Sequence, residues 1–218
     1  MWLDILGWAV SGFLVMGVVI FMTIPKPGRR DFSELGTSLW LALLTESIVN
    51  IMLYVTGGNH NLVYSIFNIV NLPLIVLLYR RRMAWRNKQV AVWIIIPFVL
   101  FSFINLFLIQ GQSKYNTFTL AVSSVCLMSI SIGYFFALIR ELPTESITKL
   151  PMFWINSAML IYYSGTFFIY LSADYLANVI GNNMIATWFV HNFLTIVYYA
   201  IIWRALLLVR ADHIKETR

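Results

Sequence analysis

An acid near the middle of an apolar run is the first residue in this chain equipped for chemistry. The segment from Trp40 to Val55 carries Glu46, with Asn50 four residues on. With its flank from Gly36 it is long enough to cross a bilayer. A carboxylate at that depth costs roughly 2.5–3.5 kcal/mol on insertion scales, so it is expected to face a bundle interior and find partners there. Residues four apart share a helix face, so Glu46 and Asn50 are expected to look the same way. Such a group can titrate a proton or bind a ligand; the structural alternative is a hydrogen-bonded carboxyl that clips helices together. His191, followed by Asn192, is the second candidate. It lies about two turns into the last apolar run and can pair with Glu46 or hold a polar ligand. Asn68, Asn71, Asn105 and Asn156 can join Asn50 as interhelical hydrogen bonders, at roughly 0.6 kcal/mol each, or together line a polar cavity. Tyr64, Tyr163, Tyr198 and Tyr199 can line the same cavity.

The elements that must position these residues follow from composition. Of 218 residues, 60% are hydrophobic and only 11% charged, far more apolar surface than a soluble domain needs. Apolar runs of about 18–24 residues match a ~30 Å hydrocarbon core, and runs that long span as helices. Seven are expected: about Trp2 to Thr23, Gly36 to Val55, Leu62 to Tyr79, Val90 to Ile109, Thr117 to Ile139, Pro151 to Leu171, and Ile185 to Val209. The chain therefore reads as one all-α, polytopic seven-helix domain over 1–218. The first run has no basic leader and no small-residue cleavage site, so it is read as a retained span. Gly7, Ser11 and Gly12 offer it a narrow side for another helix. Pro25 and Pro27 end it, and Pro73 is expected to kink the third span. The segment from Ala173 to Asn183 reads as a loop, partly helical at the interface. Trp188 reads as an interfacial residue at the outer end of the last span.

Charge sets the orientation. Of the 15 Lys and Arg residues, all but Lys114 fall on one side: the loops after spans one, three and five, and the end of span seven with its tail. The positive-inside rule then places the N-terminus outside and the C-terminus in the cytoplasm, which an odd number of spans also requires. The net charge of +6 thus reports topology and gives no argument for nucleic acid. The densest cluster is Arg80, Arg81, Arg82, Arg86 and Lys88. It is a topology determinant that can also attract anionic lipid or an acidic cytoplasmic partner, at about 1 kcal/mol per charge near the surface. Asn68 before Tyr79-Arg80 and Asn192 before Trp203-Arg204 have equal spacing, a trace of a three-plus-one-plus-three division.

Several chemistries lack their residues. A single cysteine, Cys126, leaves no intrachain disulfide and no thiolate cage. His191 is the only histidine inside an apolar run, too few for an intramembrane zinc site. The last span holds no lysine for a retinal Schiff base, and no phosphate loop or serine-nucleophile motif is present. No cofactor, no metal and no enzymatic activity are expected.

Two segments carry a resemblance. Phe153-Trp154-Ile155-Asn156-Ser157, continuing to Leu160-Ile161-Tyr162-Tyr163-Ser164-Gly165, resembles helix 6 of a family of small bacterial seven-helix membrane proteins. Trp188-Phe189-Val190-His191-Asn192 and the apolar helix after it resemble helix 7 of that family, and Asn59, Asn61, Tyr64 and Asn68 are a looser match. The family has no assigned ligand, and its members are suspected to work beside sensor kinases. The resemblance implies the architecture and a signalling role.

The expectation is a multi-pass protein of the bacterial cytoplasmic membrane that acts as a sensor or receptor. A small ligand, lipid or proton would enter a cavity bounded by spans two, three, six and seven. Glu46 would titrate or pair, His191 would be its partner, and the signal would pass to a separate cytoplasmic protein. The alternative is a small transporter working by alternating access, coupled to protons through Glu46.

Overall fold

A computed structural model describes residues 2–55, 57, 59–83, 89–112, 115–141, 146–180 and 185–216, with side chains described for 5–55, 57, 59–83, 89–112, 115–141, 146–172 and 187–214. Among these residues there is no strand. The helices are α1 (Trp2–Thr23), a short α2 (Lys26–Asp31), α3 (Ser33–Val55), α4 (Asn61–Arg82), α5 (Val90–Ile104, continued as a π-turn over Asn105–Ile109), α6 (Thr117–Glu141), α7 (Pro151–Ile180) and α8 (Ile185–Glu216). A 3₁₀ turn, Ile147–Lys149, precedes α7. All except α2 are long and apolar enough to cross a membrane, which makes seven spans among the described residues. Leu108 is 79% exposed and Trp93 74% exposed. Large side chains in a belt of that kind are placed for contact with lipid tails.

The termini of these helices have local causes. Pro25 and Pro27 break the first span from the second, and Pro27 sits in the first turn of α2, where a missing N–H is harmless. Gly57 ends α3 with φ +57°, and its N–H closes back on the Met52 carbonyl at 3.1 Å, the left-handed cap that favours glycine. α4 runs unbroken through Pro73 and on to Arg82. α7 continues past Leu171 into the segment read as a loop, and α8 continues through the expected tail.

Six spans close a ring: α1 packs on α3 and α8, α3 on α4, α4 on α6, α6 on α7, and α7 on α8. α5, the fourth span, leans on α4 and α6 from outside. The half of the bundle that carries most of the basic residues is solid. Leu14, Leu72, Ile75, Ile155, Met159, Ile202 and Leu206 are fully buried there. Tyr79 is the polar knot of this half. Its hydroxyl donates to Asn156 Oδ1 at 2.5 Å and lies 3.0 Å from Ser131 Oγ, while Asn156 Nδ2 donates to the Ser131 carbonyl at 3.1 Å. These bonds tie α4, α6 and α7 together.

The close approaches fall at other small residues than expected. A side chain at Gly7 or Gly12 would meet nothing within 4 Å. At Gly36 it would enter the Phe21 ring of α1, and at Gly165 it would strike Leu194 of α8. The reason is that α1 turns its Leu14, Val18 and Phe21 stripe to the core, away from Gly12. Gly36→Leu is therefore expected to cost about 1–3 kcal/mol through overpacking. Gly12→Leu is expected to stay within about 0.5 kcal/mol of the parent. Unfolding in mixed micelles compares the two directly.

Candidate functional site

The opposite half of the bundle is hollow. Three helices carry polar or small residues at three- and four-residue steps, the spacing that keeps side chains on one face. On α3 the stripe is Ser38, Ala42 and Thr45 with Glu46; on α4 it is Asn61, Tyr64, Asn68 and Asn71; on α8 it is Trp188, His191 with Asn192, Thr195 and Tyr199. Together with Tyr162 and Tyr170 of α7 they enclose a cavity of about 380 Å³, and a narrower extension of about 70 Å³ continues it inward. A volume of this order is typical of small-molecule sites. His60, Asn61, Tyr115 and Trp188 stand at the outer rim, which places it at the end opposite the basic loops.

Glu46 faces this cavity. Its hydrogen bond comes from the Tyr64 hydroxyl, which lies 3.5 Å from Oε1. Tyr64 is itself held edge-on to His60 and to Tyr115, with ring centroids 5.7 Å and 6.2 Å apart. His191 lines the same cavity but does not pair with Glu46, contrary to expectation. Its Nδ1 stands 3.4 Å from the Tyr170 hydroxyl, and its ring packs among Tyr162, Tyr170 and Trp188. The two groups face one space from different sides of it.

Other expected residues divide between wall and scaffold. Asn68 donates to the Tyr64 carbonyl at 2.9 Å and lines both parts of the cavity. Asn192 lines the larger part. Asn71 and Tyr163 lie at the floor: Ser38 Oγ donates to Asn71 Oδ1 at 2.5 Å, and Asn71 Nδ2 reaches the Tyr163 hydroxyl at 3.5 Å. Tyr198 joins the floor and Tyr199 lines both parts. Asn156 is not on the wall. It is fully buried in the solid half, where Tyr79 and Ser131 consume its amide. Asn50 is not on the wall either. It is half-buried and is not among the residues that line the hollow.

His60, Tyr115, Tyr162, Tyr170 and Trp188 are among the wall residues that escape the reading from sequence. Trp188 reads as interfacial, although its spacing to His191 and Thr195 already marks the stripe. Tyr115 leaves no periodic signal because it lies between helices. It is placed by a side-chain clamp across the turn. Asn105 Nδ2 donates to Asn116 Oδ1 and to Thr119 Oγ1, and Gln110 Nε2 donates to Thr117 Oγ1 at 2.7 Å. Asn105 is thus scaffold.

The basic cluster is partly spent on the fold. Arg81 bonds the Arg30 carbonyl at 2.9 Å and Ser33 Oγ at 3.1 Å, and pairs with Glu34 at 3.1 Å. Arg82 bonds the Asp31 carbonyl at 2.6 Å, lies 3.6 Å from its carboxylate, and covers the Phe32 ring. Arg80 is exposed; Arg86 and Lys88 lie outside the described residues. Among the described residues no three His, Cys, Asp or Glu side chains converge on a metal position. No family model matches the chain, and no curated protein or solved structure matches it.

Proposed function

We propose that this protein is a ligand receptor of the bacterial cytoplasmic membrane, with its cavity open to the outside and its basic loops in the cytoplasm. The observation that carries this reading is a blind cavity with an acid on its wall. It is polar and aromatic from Glu46 to the rim and ends on a solid apolar half. The excess of Lys and Arg at the solid end supports the orientation. A guest seated among α3, α4, α7 and α8 would change how those helices pack at the cavity. Below it they are densely packed, and the Tyr79 knot ties α4 and α7 to α6, so they would move as bodies rather than bend. The clips from Arg81 and Arg82 to the α2 segment would carry that movement to the cytoplasmic surface. There the exposed Arg80, with Arg86 and Lys88, would meet a separate acidic signalling partner. The resemblance to a family suspected to accompany sensor kinases agrees with this reading.

A small transporter is the second reading. Pro73 favours it, because it leaves a carbonyl of α4 without its helical donor where hollow and solid halves meet. Cysteine accessibility separates the two in a Cys126→Ser background. As a receptor, the protein with Asn192→Cys is labelled by a membrane-impermeant thiol reagent on intact cells, and with Asn68→Cys it stays unlabelled in inside-out vesicles. Labelling of Asn68→Cys from the inside establishes alternating access and overturns the receptor reading. Absence of outside labelling at Asn192→Cys overturns the outward-facing cavity.

A further inference from the structure

The chemistry of the cavity wall narrows the class of guest. Among the described lining residues Glu46 is the only carboxylate, and no Lys or Arg faces it; Lys114 lies outside the described residues. Among the described residues Glu46 forms no ion pair, and its one hydrogen bond is the long contact from Tyr64. A carboxylate has room for about four hydrogen bonds. At this depth in the bundle an acid to which the protein gives so little is met by water or by a cationic guest.

The rest of the wall is aromatic. Tyr115 stands edge-on to Tyr64 and to Trp188, at interplanar angles of 71° and 75°, and is tilted by 43° to Tyr170. All four of these rings border the space that Glu46 faces. Ring faces are the negative side of the aromatic quadrupole, and they attract organic cations with about 0.5–2 kcal/mol each. Burial pushes the Tyr115 phenol above its ordinary titration range; a phenol is neutral at physiological pH even without that shift. An inorganic divalent ion is poorly served by this wall, since hard cations take six or more oxygen ligands.

We propose that the cavity binds a small organic cation, an amine or a quaternary ammonium, with its charge held between the Glu46 carboxylate and the rings of Tyr64, Tyr115, Tyr162, Tyr170 and Trp188. This rests on the ligand-cavity reading above and names its substrate class. Asn68 and Asn192 are neutral and supply hydrogen bonds to any polar tail of the guest.

The test uses the full chain in lipid nanodiscs and two probes of equal shape. Choline carries the charge; 3,3-dimethyl-1-butanol is its neutral carbon isostere. Titration calorimetry is expected to show choline binding at least tenfold tighter than the alcohol. Glu46→Gln is expected to abolish that preference, and Tyr115→Leu or Trp188→Leu to lower choline affinity about three- to tenfold. The two aromatic variants keep the test alive if the Glu46 variant fails to fold. Equal binding of the two probes overturns the cation assignment and leaves the ligand cavity standing. Binding of neither at millimolar concentration, or choline affinity indifferent to Glu46→Gln and to both ring variants, also overturns it. Failure of outside labelling at Asn192→Cys removes the cavity reading itself, so the two failures are told apart.

Discussion

Ala42→Phe is expected to close the cavity without weakening the bundle. Ala42 is buried on α3 where the large and narrow parts of the hollow meet. A phenyl ring there enters existing space. Labelling of Asn68→Cys by an impermeant thiol reagent is expected to fall at least tenfold in the Ala42→Phe background. The thermal midpoint should hold or rise, because filling a void typically adds about 0.5–2 kcal/mol. The contrast with Gly36→Leu is instructive: both enlarge a small residue on α3, less than two turns apart. One meets the Phe21 ring and the other meets a cavity. Undiminished labelling together with a lowered midpoint would mean that the introduced ring was forced into a packed wall, and the cavity would have to be abandoned.

Asn156→Ala is expected to produce the largest stability loss of any single polar substitution, about 2–3 kcal/mol. Interhelical hydrogen bonds in membranes average only ~0.6 kcal/mol and reach ~1.7, so bonds alone do not supply that figure. The remainder comes from packing. Asn156 is fully buried, and lipid cannot refill the gap that its truncation leaves between α4, α6 and α7. The variant also strips the Tyr79 hydroxyl of its 2.5 Å acceptor, leaving Ser131 at 3.0 Å. Tyr79→Phe alone, which keeps the ring, should cost about 1 kcal/mol. The double variant should lose less than the sum of the two, as partners in one network do. Unfolding in mixed micelles reads all three. Choline binding should be unchanged in Tyr79→Phe, because the knot lies in the solid half. Strict additivity would show that the two side chains do not act together.

How much of this is legible in the sequence depends on what kind of signal each residue leaves. The seven spans follow from apolar length, since a bilayer demands about twenty residues of helix whatever the partners are. Glu46 is legible for the same reason: an acid inside such a run must answer for its solvation. The positions of Asn68, Asn71, Tyr163, Asn192 and Tyr199 on the cavity wall are within reach of helical spacing. Asn156 shows the limit of that method. It has the same residue type as the others, yet its amide is consumed by Tyr79 and Ser131. Polar type says that a partner is needed; it does not say whether the partner is protein or guest.

Composition and spacing by themselves determined that this is an all-α chain of seven spans, with its basic residues gathered at one end and a costly acid in the second span. Those features depend only on each residue's own transfer energy and on helix period, which are local. Tertiary structure decided that Glu46 and His191 face a common hollow without touching, that Tyr115 reaches it from between two helices, and that the other half is solid. These depend on how far each helix is turned about its axis. In lipid that angle is set by the close fit of small and large side chains between neighbours, since tails and side chains are equally apolar and burial gives no bias. Gly36 beneath Phe21 and Gly165 beneath Leu194 are such fits. Their effect on the cavity emerges only when all seven spans are in place.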